Sequence, residues 1–151
     1  MNTYRQPGTV VTDHHFSVPL DHGRPEGMRI EVFAREVAAV GKAGERLPWL
    51  VFLQGGPGFA AQRPVGRSTW LDRALDDYRV LLLDQRGTGR STPVSAASLA
   101  RRGRRDPAAI ADYLAHFRAD SIARDAELIR QRLLGTSRGA CWARASAASA
   151  R

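Results

Sequence analysis

Three short segments of this 151-residue chain carry residue types that could do chemistry. The first is Gln54-Gly55-Gly56-Pro57-Gly58, directly after an apolar run. Glycines there let the backbone turn sharply and bring main-chain N–H groups close to a ligand oxygen, with no Cβ in the way. Donors of that kind are what an oxyanion hole needs, although a plain tight turn uses the same residues. The second is Asp84-Gln85-Arg86-Gly87-Thr88-Gly89-Arg90-Ser91, after another apolar run. Gly87-Thr88-Gly89 hints at a dinucleotide loop, but the third glycine of that fingerprint is missing. Thr92-Pro93 stands where the helix should begin, and no P-loop Lys-Ser/Thr pair exists. The other reading is a turn held by an Asp/Arg hydrogen-bond network. The third segment, Gly135-Thr136-Ser137-Arg138-Gly139, spells GxSxG. A nucleophile elbow needs a strand before the serine and a helix after it. Here Ile129–Leu134 continues a helical pattern, and no Asp, Glu or His follows Ser137. A serine without a base is a weak nucleophile, so Ser137 is not assigned a catalytic role. Cys141 has no base downstream either.

The elements that must position these loops are legible. Trp49–Leu53 and Val80–Leu83 are short unbroken apolar runs, the pattern of strands buried on both faces. Ser68–Leu75 between them reads as a short helix, which makes a βαβ unit of a parallel sheet. Upstream, His14–Leu20 alternates weakly and reads as an edge strand, where Pro19 is tolerated. Asp21–Pro25 reads as a turn. Met28–Val37 reads as a half-buried strand, with Met28, Ile30, Val32 and Ala34 on one face and Arg29, Glu31 and Arg35 on the other. Val40–Arg46 is a polar connection. Downstream, Asp106-Pro107 is a helix start, followed by Ile110, Tyr113, Leu114 and Phe117 at helical spacing. A second helix is expected from about Ser121 to Leu134, with Ile122, Ala126, Ile129 and Leu133 on one face and Gly135 at its end.

Composition narrows the function classes. With 43% hydrophobic and 25% charged residues, the chain fits a globular domain and not a disordered or fibrous one. No apolar run reaches the ~20 residues of a membrane span. Met1–Arg5 leads into no apolar segment, and the one cysteine excludes a disulfide framework and a Cys-rich zinc site. A cytoplasmic protein without membrane partner or metal is expected. The net charge is 23 minus 15, or +8, and all but one of the basic residues are arginines. The one dense cluster, Arg101-Arg102-Gly103-Arg104-Arg105, sits beside a loop and lacks interleaved aromatics, so a nucleic-acid partner is not expected.

The two glycine loops together are far more specific than either alone. A strand ending in QGGPG, about 25 residues, then a strand ending in DQRGTGRS, resembles the α/β-hydrolase fold, and within it the proline iminopeptidases. Asp120–Arg130 is similar to the helix that precedes the nucleophile strand in that family. The resemblance spans roughly residues 12–135, and Gln54 departs from the more usual histidine. It implies an α/β protein with a parallel central sheet and flanking helices, of which residues 1–135 form the N-terminal portion. It further implies a main-chain oxyanion donor in Gly55/Gly56, with Gln54, Pro57, Gly58, Asp84, Gln85, Arg86, Gly87, Gly89 and Ser91 supporting the site loops. The implied activity is release of N-terminal proline from peptides by a Ser-Asp-His triad without cofactor. The competing readings are a non-enzymatic binding or regulatory module, and a basic nucleic-acid binder.

Residues 136–151 differ in texture: six Ala, three Ser, three Arg and no acid. They read as a low-complexity tail without strand pattern. Read one base out of frame, Cys141–Ser149 permits Val-Leu-Gly-Gln-Ser-Phe-Gly-Gly-Phe, given suitable third bases and AGA for Arg144. That peptide resembles the family's strand and elbow, so the tail is expected to be out of frame. The intact triad would then lie outside this chain, which is expected to be inactive. Strands Leu50–Leu53 and Val80–Leu83 are expected to be left exposed and prone to aggregation.

Overall fold

The computed structural model describes residues 1–54, 58–64, 69–101 and 106–135, and the strand backbone at 144–146. Three strands open the chain: β1 (Asn2–Gln6), β2 (Thr9–Pro19) and β3 (Arg29–Ala39). They form an antiparallel meander, with Tyr4 opposite Val11 and His15 opposite Phe33. Then come β4 (Trp49–Leu53), α1 (Thr69–Asp77) and β5 (Arg79–Leu83). β4 and β5 pair parallel in register, Leu50 with Val80 and Leu53 with Leu83. The βαβ unit expected from the two apolar runs is therefore present. Helices α2 (Ala96–Arg101), α3 (Pro107–Leu114) and α4 (Ala119–Leu134) follow, and then a short β6 (Arg144–Ser146).

The sheet order is β1-β2-β3-β5-β4-β6. The expected parallel centre is present within a mixed sheet. β3 runs antiparallel to β5, and only β5, β4 and β6 are parallel. The turn at Asp21–Met28 closes a hairpin, which makes β2 and β3 antiparallel neighbours. Each face carries its own core. Val18, Val32, Val51, Leu53, Leu81 and Leu83 pack with Tyr113 of α3 and Ile129 of α4. On the opposite face Val11, Val37, Val80 and Leu82 pack with Leu71 and Leu75 of α1.

Several expectations need correction. His14–Leu20 is not an edge: β2 starts at Thr9 and lies between β1 and β3. β1 carries the edge, and its polar sequence gives no strand alternation. β3 is buried on both faces rather than half-buried, because Phe33, Arg35 and Val37 face polar and apolar groups instead of water. Met28 is exposed. Val80–Leu83 of β5 are buried, and in β4 Val51 and Leu53 are buried while Leu50 and Phe52 are half-buried, so these runs are more covered than expected. Arg144–Ser146 forms a strand within the segment expected to have none, pairing parallel with Val51–Leu53. Alternate small residues can take an extended backbone when a parallel edge supplies the hydrogen bonds. Phe117 lies past the end of α3.

The start of α3 and the end of α4 follow the sequence, whereas α4 begins at Ala119, two residues before the expected Ser121, and α2 was not expected. Asp106 caps α3 by accepting from the Ala108 and Ala109 N–H groups at 3.4 and 3.2 Å, with Pro107 in the first turn. α4 ends at Gly135, whose N–H reaches the Gln131 carbonyl.

Candidate active site

β4 and β5 are adjacent and parallel, so their carboxyl ends open on the same side of the sheet. Both glycine loops begin there. The loop after β5 is built around Asp84, which is 3% exposed. Its Oδ1 accepts the Ala61 N–H and its Oδ2 the Arg90 N–H, both at 2.9 Å. One carboxylate therefore closes its own turn and holds the chain that leaves the first glycine loop. Gln85 Nε2 donates to the Gln54 carbonyl at 2.9 Å, at the other end of that loop. The QGGPG segment is thus held on both flanks by consecutive residues, Asp84 and Gln85.

The rest of the loop is fixed with equal economy. Ser91, fully buried, donates its hydroxyl to the Asp84 carbonyl and accepts the Phe33 N–H. Thr88 Oγ1 donates to the Gln85 carbonyl. Thr92, at φ 42°, accepts the Glu31 N–H and donates to its carbonyl, which ties the strained residue to β3. Gly89 has no room for a side chain: a Cβ would lie 2.2 Å from Asp84 Oδ2, and φ is +50°. Gly87, at φ +85°, packs so closely that a Cβ would lie 2.7 Å from the Phe117 ring.

Arg86 anchors the loop from beneath. Its guanidinium has five N–H groups. Nε and one Nη2 proton bind Asp125 Oδ2 and Oδ1 at 2.7 and 2.6 Å. The Nη1 protons go to the Leu20 and His116 carbonyls, and the remaining Nη2 proton to the Pro19 carbonyl. Arg86 and Asp125 are 2% and 1% exposed. A buried pair is tolerated when its geometry is good and further hydrogen bonds satisfy its remaining groups, and here all five guanidinium protons have acceptors.

A second polar cluster lies by the outer strands. Arg90 binds Asp13 Oδ2 at 2.8 Å and stacks over the Phe33 ring at 3.9 Å. His14 Nε2 meets Glu36 Oε2 at 2.8 Å, and Arg79 donates to the other oxygen. Burial pushes the Glu36 carboxyl up, but the His14 and Arg79 hydrogen bonds and the Arg79 charge outweigh it and hold the group below its ordinary range.

Of the residues expected at the site, the structure brings together Gln54, Asp84, Gln85, Arg86, Gly87, Gly89 and Ser91. Gly58 is exposed at the far side of the first loop. Gly55, Gly56, Pro57, Ser137, Cys141 and Arg102–Arg105 lie outside the described residues. Sequence reasoning missed Ala61, His22 and Asp125. Asp125 had a signal: it sits at i+3 between Ile122 and Ile129, an acid on the buried face of α4. Among the described residues no group of three or more His, Cys, Asp or Glu could hold a metal ion, and no helix is long and apolar enough to cross a membrane.

Comparison with known proteins agrees with this geometry. The alpha/beta hydrolase fold family matches residues 48–143. A proline iminopeptidase of Aeromonas sobria is 54% identical over 131 residues, covering 86% of this chain and 30% of that protein. The proline iminopeptidase aneH of Aspergillus aculeatus is 44% identical, covering 84% of this chain and 28% of its own. A tripeptidyl aminopeptidase of Streptomyces lividans is 31% identical over 86 residues, covering 54% of this chain and 16% of its own. The chain thus spans less than a third of the length of these relatives. With strand order, loop chemistry and family match in agreement, the chain belongs to the α/β-hydrolase fold family.

Proposed function

We propose that this chain is the N-terminal part of a serine hydrolase that releases proline from the N-terminus of peptides. The observation that carries this reading is the clamp between the two loops. Gln85 holds the Gln54 carbonyl and Asp84 holds the Ala61 N–H, each at 2.9 Å. The clamp fixes both flanks of a glycine segment at the carboxyl ends of two parallel strands. On this reading a main-chain N–H of Gly55 or Gly56 is the donor to the oxygen of a substrate carbonyl as it becomes negative. Such donors stabilise the tetrahedral intermediate because they are oriented before the reaction begins. The similarity to two proline iminopeptidases supports the substrate class. The single cysteine fits a cytoplasmic setting.

The nucleophile, its base and the orienting acid belong, on this reading, to sequence beyond residue 135. Residues 136–151 are then the product of a shifted reading frame. The DNA on either side of codon 136 tests this directly. A frame encoding Leu-Gly-Gln-Ser-Phe-Gly-Gly is expected there, and its absence overturns the frame assignment. The activity is tested separately, by expressing the continuous frame and assaying proline arylamide hydrolysis.

A further inference from the structure

We infer that His22 is a positioning residue for the glycine loops, acting through Asp125 and Arg86. His22 lies in the turn between β2 and β3, 103 residues from its partner on α4. Local hydrogen bonds close the turn: Asp21 Oδ1 accepts the Gly23 N–H at 2.8 Å, the Arg24 N–H meets the Asp21 carbonyl, and the Leu20 N–H meets the Met28 carbonyl. His22 Nε2 stands 2.9 Å from Asp125 Oδ1 and 3.1 Å from Arg86 Nη2.

Proton counting settles which contact is the hydrogen bond. All five guanidinium protons of Arg86 already have oxygen acceptors, so none is left for an imidazole lone pair. A bare Nε2 would set its lone pair against a carboxylate oxygen in a buried site. Nε2 must therefore carry the proton and donate to Asp125 Oδ1. His22 adds a third hydrogen bond to the carboxylate that orients Arg86, and its side chain is only 10% exposed. Arg86 adjoins Gln85 and Asp84, which hold the two flanks of the first glycine loop. The chain of contacts thus runs from the β2–β3 turn, through α4, to the segment that carries the proposed oxyanion donors. Its bearing on catalysis rests on the function proposed above; its bearing on loop order does not.

The test uses the 151-residue chain labelled with ¹⁵N. A long-range ¹H–¹⁵N spectrum reads which ring nitrogen of His22 carries the proton, and amide exchange reads the order of Asp84–Thr92 and Ala61. The expected results are a protonated Nε2, and exchange about tenfold faster in His22→Ala, since a buried acceptor then loses one of its two donors. His22→Gln, whose Nε2 amide can donate from a similar place, is expected to restore the slow exchange. A general loss of packing would not be rescued in this way. A bare Nε2, unchanged exchange in His22→Ala, or a His22→Gln no better than His22→Ala overturns the inference. Should His22→Ala fail to fold, the tautomer of the unmodified chain decides alone. Neither readout uses hydrolysis, so failure of the enzymatic reading and failure of this one are separate results.

Discussion

At the scale of single residues, the site is held by acceptors and by places where atoms are missing. Asp84, itself buried, takes two backbone N–H groups, the Ala61 one buried and the Arg90 one partly so. Asp84→Ala leaves both without partner, and hydrogen bonds to a charged acceptor are worth more than neutral ones. We expect a loss of about 3 kcal/mol, read as a lowered urea midpoint. Gly89→Ala fails for another reason, because its Cβ would overlap Asp84 Oδ2 and its φ is positive. A loss of about 1–3 kcal/mol is expected in the same measurement. Glu36 supplies the pH dependence. Folding lowers its pKa, so its stabilisation is complete above the ordinary value of 4.5 and disappears as pH falls through the lower, folded value. Thermal unfolding should therefore be steady from pH 7 to about 5 and weaken below about pH 4, and Glu36→Gln should flatten that decline. An equal decline in Glu36→Gln would assign the acid sensitivity elsewhere. Residue chemistry was only partly legible in the sequence. Asp84, Gln85 and Arg86 stood out because they follow a buried strand. His22 and Ala61 did not, since their partners lie far along the chain and nothing local marks them.

At the scale of elements, the parallel pair β4–β5 was readable because strands buried on both faces have no polar alternation. The helix boundaries were readable because caps are local: Asp106-Pro107 and Gly135 need no tertiary information. β1 and β6 escaped because an edge strand takes its hydrogen bonds from its neighbour and needs little apolar pattern of its own. What joins α4 to the sheet loops is the Arg86–Asp125 pair. Asp125→Ala leaves a guanidinium buried without its counter-charge, at a cost of about 3–5 kcal/mol. Exposed changes on the same helix, such as Glu127→Ala, should cost less than about 1 kcal/mol, because Glu127 and Arg130 pair in water. Equal urea midpoints for the two variants would mean that α4 is not held through Arg86.

At the scale of the whole molecule, the sheet is deepest at β3 and β5 and thinnest at β4, where β6 covers only Val51, Phe52 and Leu53. A parallel edge with so short a partner invites pairing with other chains. Light scattering should therefore show concentration-dependent association, and a stable monomer across the accessible range would count against that expectation. The fold family could be read from two loops because their spacing reflects one βαβ unit. The antiparallel hairpin beside it could not, because strand direction depends on which neighbours meet in space. The proposal stands on these corners forming a pocket for a reacting carbonyl. Its most direct measurement is hydrolysis of a proline arylamide by the product of the continuous reading frame, set beside the 151-residue chain. The longer product should release arylamine, and the chain described above should be slower by a factor on the order of 10⁶, as when nucleophile and base are both absent. A folded longer product that releases nothing, or equal turnover by both, would contradict it.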